Sequence, residues 1–138
     1  MSTSSFVPGE LYSREDIHNK IGGSLESYLP HVDGRVVCVC LRPDLNPGAP
    51  RVILVGTGPE IRRWGEVLSS QTEPIPVFIR EGSYEWRYRG LYEVVSSSSD
   101  PTELQEQAKA ADRDDDGLSQ IIYLESALSV DVFHKPDQ

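Results

Sequence analysis

The chain has 138 residues, of which 38% are hydrophobic and 25% charged, a composition typical of one globular domain with its own apolar core. It contains no run of about 18 apolar residues, and its polar, Ser-rich start does not match a secretory signal. We therefore expect no membrane partner and an intracellular location, in the cytoplasm or the nucleus. We expect a flexible lead-in over residues 1–10, one globular domain over residues 11–133 and a tail over residues 134–138.

The net charge of −9 is unevenly distributed along the chain. Residues 1–99 contain 10 Lys and Arg against 12 Asp and Glu, a net −2, whereas residues 100–138 contain 3 against 10, a net −7. Bulk charge therefore gives no attraction to nucleic acid, but a local basic groove is compatible with the nearly neutral first part. Nine of its ten basic residues are arginines, which favour specific planar contacts. The alternative is that these arginines are solvated residues at strand edges.

The first half of the chain predicts two helices and two strands. A capping-box pattern at Ser13 begins the first helix, which ends at the glycine pair 22–23. The apolar run at residues 35–41 predicts a central strand that is covered on both faces. Residues 51–55 predict the next strand, and a proline at the first helical position begins a helix over residues 59–68.

The second half predicts a hairpin, a third helix and two further strands. A short turn joins residues 75–80 to the long segment 85–95, which favours antiparallel pairing. Residues 101–111 follow a strong capping signal and predict a helix, and residues 120–125 and 128–133 predict strands. About three helices that interrupt a mainly antiparallel series predict an α+β fold with a small, curved, mixed or antiparallel sheet.

The segment at residues 85–95 is the most informative part of the sequence. Strict alternation places four side chains on one face of a strand, namely Trp86, Tyr88, Tyr92 and Val94. It places Arg87 and Arg89 on the opposite face. Gly90 interrupts the strand where a bulge or a barrel corner needs a residue without a Cβ. A long, bent, aromatic strand is typical of a curled sheet or small barrel that holds a ligand at one end.

Metal and cofactor signals are weak, so we expect neither. Cys38 and Cys40 lie two positions apart in an apolar run and are interpreted as small core residues, with a metal pair as the alternative. Four positions match the start of a calcium loop, namely Asp112, Asp114, Asp116 and Gly117. Ser119 and Tyr123 then replace the aliphatic residue and the bidentate Glu that such a loop requires, which favours a solvated acidic turn.

Signals for an enzyme are also few. The Gly-Thr-Gly sequence at residues 56–58 lacks the third glycine and the Gly-Lys-Ser/Thr of nucleotide-binding loops. No Gly-x-Ser-x-Gly nucleophile motif occurs. We favour a non-catalytic protein and keep an enzyme as a third hypothesis.

Two parts of the chain resemble known families. Residues 9–18, with the sequence GELYSREDIH, and the glycine pair 22–23 resemble the opening of domains fused to HNH nucleases in bacterial modification-dependent restriction proteins. A second set resembles the closing hairpin and helix of PUA-like barrels, namely Val77-Phe78, the alternating Trp86, Tyr88, Gly90, Tyr92 and Val94, Asp100-Pro101 and residues 121–125. That superfamily includes the SRA readers of modified cytosine. The resemblance implies a PUA-like barrel that reads DNA or RNA, with a modified base flipped into a pocket. No HNH segment is present, so no cutting activity is implied.

These observations predict a non-catalytic binding module for nucleic acid or a modified base. The predicted site contains seven residues, namely Tyr12, Arg14, His18, Trp86, Arg87, Tyr88 and Arg89. Tyrosine and tryptophan rings are expected to stack on the ligand, and Arg14 is expected to contact phosphate. The alternative is an acidic protein-interaction or inhibitor module that binds a protein partner through residues 100–138.

Overall fold

The computed structural model describes residues 6–113 and 117–127, which form eight strands and three helices. In chain order these are β1 (Leu11–Tyr12), α1 (Arg14–Ile21), β2 (His31–Val32), β3 (Arg35–Val36), β4 (Val39–Leu41), β5 (Val52–Val55), α2 (Pro59–Ser69), β6 (Ile75–Gly82), β7 (Glu85–Ser98), α3 (Pro101–Ala110) and β8 (Gln120–Ser126). The predicted strand over residues 128–133, the tail over 134–138 and residues 1–5 of the lead-in lie outside the described residues.

The main sheet is mixed and curls into a half-barrel. Its strands follow the order β4-β6-β7-β8-β5, and β1 pairs with β7 beside this path. The β4–β6 pair is parallel, whereas the other pairs of this sheet are antiparallel. Strands β2 and β3 form a separate two-stranded sheet. The predicted α+β fold, with its curved mixed sheet and three helices, is confirmed.

Local capping signals explain where the helices begin. The Ser13 hydroxyl accepts a hydrogen bond from the Asp16 amide, and the Asp16 carboxylate accepts one from the Ser13 amide, which completes the predicted capping box of α1. The Asp100 carboxylate caps α3 in the same manner, by accepting from the Glu103 amide. Helix α2 begins at Pro59, as the sequence predicts.

The apolar run at residues 35–41 does not form the single central strand predicted for it. It divides into β3, which pairs with β2, and β4, which lies at the end of the main sheet and pairs there with β6. Val39 and Cys40 are nevertheless buried, on opposite faces of the sheet. An all-apolar run thus indicates that both faces of a strand are buried, but not that the strand is central. Helices and loops can cover both faces of an edge strand as well.

A bulge occurs in β7 at the predicted position. Val77 of β6 pairs with Gly90, and the next residue, Phe78, pairs with Tyr88, so Arg89 has no partner in β6. Gly90 has a φ of 103°, in the left-handed region that strains any residue with a Cβ.

This bulge divides the aromatic row of β7 between the two faces of the sheet. Trp86 and Tyr88 pack with Phe78 in one cluster, whereas Tyr92 packs with Val77 in another. The prediction that these aromatic residues of β7 share one face is therefore wrong. The extra residue at the bulge inverts the alternation of side chains relative to β6.

Helices cover both faces of the sheet. Helix α2 packs Trp64 and Leu68 onto one face. The other face is covered by Ile17 of α1 at one end and by Ala108 of α3 at the other end. Phe6, within the predicted lead-in, is also buried on this second face, so the chain is anchored from that residue onward.

Replacement of Gly90 by alanine is expected to lower the free energy of unfolding by about 1–3 kcal/mol, because the new Cβ is strained at this φ. Denaturation by urea measures the change. Gly56→Ala is the matched control, since Gly56 lies outside the left-handed region and its added Cβ finds its nearest heavy atom 3.8 Å away. We expect the control to change the free energy by less than about 0.5 kcal/mol. Equal losses in the two variants would contradict the strain at Gly90.

Candidate functional site

A cavity of about 570 Å³ lies on the face of the sheet that α1 and α3 cover, beside Trp86. Its wall is formed by the start of α1, the loop at residues 25–28, the end of β4 with the loop that follows, the β6–β7 hairpin and Arg113 after α3. This volume is usual for a site that holds a small molecule.

Four arginines line the cavity, namely Arg14, Arg42, Arg80 and Arg113, and we call it the arginine cavity. Arg42 forms an ion pair with Asp44, with 2.7 Å between Nη2 and Oδ2. The hydrogen bond from Arg42 holds the pKa of the Asp44 carboxyl below its usual value. The positive charge of Arg42 is therefore already compensated within the chain.

The other three arginines donate hydrogen bonds to backbone carbonyls. Arg14 Nη2 lies 2.7 Å from the Ser24 oxygen and 2.9 Å from the Ser27 oxygen. Arg80 Nε lies 3.1 Å from the Gly82 oxygen. Arg113 Nη1 lies 2.9 Å from the oxygen of Leu45, in the loop after β4.

None of these three arginines forms an ion pair with a described residue. The carbonyl groups hold the guanidinium groups in place but carry no net charge. Two glutamates, Glu15 and Glu26, also line the cavity, and both are exposed. Because Asp44 already compensates Arg42, three arginines remain against two carboxylates around the cavity, a small excess of positive charge.

Trp86 supports two of the guanidinium groups. The Cζ atoms of Arg14 and Arg80 lie 5.3 Å and 5.9 Å from the centroid of its ring. Trp86 is only 7% exposed. The ring therefore positions the two cations through cation–π contacts, instead of offering the open stacking surface expected from the sequence.

The mouth of the cavity has an exposed aromatic ring. Tyr84, at the tip of the β6–β7 hairpin, lines the cavity and is 84% exposed. Leu25 lines it as well and is about half exposed. Tyr28 lies deeper, where its hydroxyl accepts a hydrogen bond from the Gly56 amide, and burial raises its pKa above the usual value. Tyr84 thus provides the accessible ring surface at this site.

Two of the seven predicted site residues, Arg14 and Trp86, line the cavity. Tyr12 and Tyr88 instead pack against Phe6 and Phe78 in the core, and Tyr88 is 3% exposed. The Tyr12 hydroxyl accepts a hydrogen bond from a backbone amide of the lead-in. These two rings therefore belong to the core beneath β1 and do not line the cavity.

The remaining three predicted residues lie outside the cavity. His18 is on the exposed side of α1, where its Nδ1 lies 2.7 Å from the Gly23 carbonyl oxygen. Arg87 forms a bidentate ion pair with Glu81, at 2.6 Å and 2.7 Å, and its hydrogen bonds lower the pKa of that carboxyl. Arg89 is exposed at the bulge. The structure thus does not bring these three residues together with Arg14 and Trp86.

The cavity residues that the sequence prediction did not include are the larger part of the lining, and Arg80, Arg113 and Tyr84 are among them. The position of Arg80 could have been predicted from the sequence, because a tight β6–β7 hairpin places it directly opposite Trp86. Arg113 had no usable signal, since it contacts Leu45 across 68 positions of sequence.

The structure offers little support for a metal site. Among residues 6–113 and 117–127, no group of three or more His, Cys, Asp or Glu is arranged to hold a metal ion. Asp114 and Asp116 of the calcium-loop pattern lie outside the described residues. Cys38 and Cys40 are buried with their Sγ atoms 4.0 Å apart, and the hydrogen bond between them, with burial, raises the pKa of Cys38 well above its usual value. Within the described ranges, no helix is long and apolar enough to cross a membrane.

A family model described as a domain of unknown function (DUF6697) matches residues 11–115. All residues that line the arginine cavity fall within the matched region, whereas β8 lies beyond it. No curated protein and no solved structure matches the chain. The family match therefore covers the cavity but brings no known function to it.

The core position of Tyr88 predicts a defined loss of stability at high pH. Burial raises the pKa of Tyr88 to about 12, against about 10 for an unperturbed tyrosine. The stabilisation from the neutral, buried phenol is complete below pH of about 10 and is lost as the pH rises through about 12. We expect Tyr88→Phe to lose less unfolding free energy than the wild type over this interval, as measured by denaturation at several pH values. Tyr84→Phe, a change at an exposed ring, should follow the wild type; identical curves for all three proteins would contradict the burial of the Tyr88 hydroxyl.

Proposed function

The chain belongs to the DUF6697 family, and we propose that it is a non-catalytic binding module that takes a nucleotide unit of nucleic acid into the arginine cavity. One observation supports this proposal above all others. Three guanidinium groups surround one cavity, and their hydrogen bonds go to neutral carbonyls.

This arrangement is costly unless a ligand supplies negative charge. Like charges held close together repel each other, and a partly buried cation needs a partner. The chain contains 22 Asp and Glu, and it pairs Arg35 and Arg87 with carboxylates away from the cavity and Arg42 with Asp44 at the cavity wall. Three uncompensated arginines at a single cavity therefore favour a binding role over a purely structural one.

A nucleotide fits the chemistry of the cavity. Guanidinium groups bind phosphate through paired, charge-assisted hydrogen bonds. The exposed ring of Tyr84 and the guanidinium planes offer surfaces on which a base can stack. Glu15 and Glu26 provide carboxylate oxygens that can accept hydrogen bonds from the amino group of a base.

The sequence resemblance to PUA-like barrels, including SRA readers of modified cytosine, supports the same class of ligand. A protein of this kind would act in the cytoplasm or the nucleus, where nucleic acid is present. The alternative hypothesis, an acidic module for a protein partner, depends on residues 100–138, of which 114–116 and 128–138 lie outside the described residues. It stays a prediction from the sequence.

Arg80→Gln is expected to weaken the binding of single-stranded DNA or RNA at least about tenfold, because a hydrogen bond to a charged group contributes about 1.5–3 kcal/mol. Arg80 is well suited to the test, since the carbonyl that it contacts belongs to its own hairpin. Fluorescence anisotropy of labelled oligonucleotides at low salt, with plain and modified bases, measures the affinity.

Arg89→Gln is the matched control for this experiment. It removes the same charge from an exposed residue of the same hairpin that does not line the cavity. We expect nearly wild-type affinity from this variant. Equal weakening in both variants would place the site elsewhere, and no binding of DNA or RNA by the wild type at tens of micromolar would refute the proposal.

A further inference from the structure

We infer that the arginine cavity recognises the phosphorylated end of a nucleic-acid strand, through a terminal phosphate monoester. This inference rests on the proposed function and narrows it to one kind of ligand. It follows from the shape of the cavity and from the placement of opposite charges around it.

The cavity is closed on its inner side. Cys40, Asn46 and Trp86 line it, and these residues are 1%, 4% and 7% exposed. Segments from five parts of the chain surround the remaining space. A strand that passes through a site needs two openings, whereas a strand end needs one. The closed floor therefore excludes a strand that threads through the protein and is compatible with an end group held against it.

The charge inside the cavity matches a terminal phosphate. A phosphate monoester carries about −1.5 to −2 at neutral pH and presents three acceptor oxygens, whereas an internal phosphodiester carries a single negative charge. Arg14, Arg80 and Arg113 supply three positive charges that no described carboxylate pairs with. The more highly charged end group thus gains more from this cavity than an internal linkage does.

The acidic residues at the cavity and the acidity of the whole chain disfavour contacts with further phosphates. The exposed carboxylates of Glu15 and Glu26 belong to the same cavity wall, and the whole chain has a net charge of −9. Proteins that bind long single strands instead present a positive groove along the backbone. We therefore expect only one or two phosphates to contribute to binding, with Tyr84 available to stack on the terminal base.

The test compares fluorescently labelled DNA and RNA oligonucleotides of about ten nucleotides that carry a 5′-phosphate, a 3′-phosphate or hydroxyl groups at both ends. The full chain is used at low and moderate salt. We expect one of the phosphorylated ends to bind at least about tenfold more tightly than the hydroxyl form. Affinity should not rise with strand length, and the salt dependence should correspond to about one or two phosphates.

Equal affinity for phosphorylated and hydroxyl ends would overturn this inference and leave the proposed function standing. Failure to bind any oligonucleotide would refute both. A phosphate monoester can come from a strand end or from a free nucleotide. A nucleoside monophosphate, used as a competitor, distinguishes these two sources. If it competes as strongly as the phosphorylated strand, the ligand is a free nucleotide, and the inference that the cavity recognises a strand end is wrong.

Two variants test whether the preference for phosphorylated ends arises at the cavity. Arg80→Gln is expected to reduce the ratio between phosphorylated and hydroxyl ends from about tenfold to below about threefold. The control is Arg89→Gln, which removes the same charge from an exposed residue of the same hairpin that does not line the cavity. The control should keep the full ratio. Loss of the ratio in the control alone would overturn the assignment to the uncompensated arginines.

Discussion

The bulge at Arg89 and Gly90 is the constraint on which the rest of the structure depends. It adds one residue to β7, so that Trp86 lies on the face covered by α1 and α3, whereas Tyr92 lies on the face covered by α2. A regular strand would place both rings on one face, with Arg87, Leu91 and Glu93 on the other. The bulge therefore supplies a core to each face and turns Trp86 towards Arg14 and Arg80.

The arginines of the chain serve two different purposes. Arg35 and Arg87 form ion pairs with Glu73 and Glu81 at exposed positions, where such pairs contribute little to stability. Around the cavity, the carbonyl groups of loops and of the β6–β7 hairpin fix the guanidinium groups without neutralising them. Placement around one cavity with carbonyl partners, and not the number of arginines in the sequence, thus distinguishes the candidate site from the ordinary surface.

Much of the fold was accessible from the sequence because its signals are local. Capping residues mark the starts of α1 and α3, and a short turn marks the β6–β7 hairpin. For the residues of β7 after Gly90, the sequence could not predict which face of the sheet each side chain occupies. A bulge changes the alternation of faces only relative to the partner strand, and the sequence of β7 alone does not show it. The apolar run at residues 35–41 likewise reports burial but not position within a sheet. Arg113 joins the cavity through a contact with Leu45 that no local pattern encodes.

The position of β8 has a consequence for the limits of the folding unit. The strand lies between β7 and β5 and provides the pairing that joins β5 to the rest of the sheet, yet it falls outside the region that the family model matches. A fragment excised at residue 115 would leave β5 detached and one side of β7 open, and unpaired strand edges of this kind promote aggregation. The smallest autonomous piece of this chain therefore extends at least through Ser126.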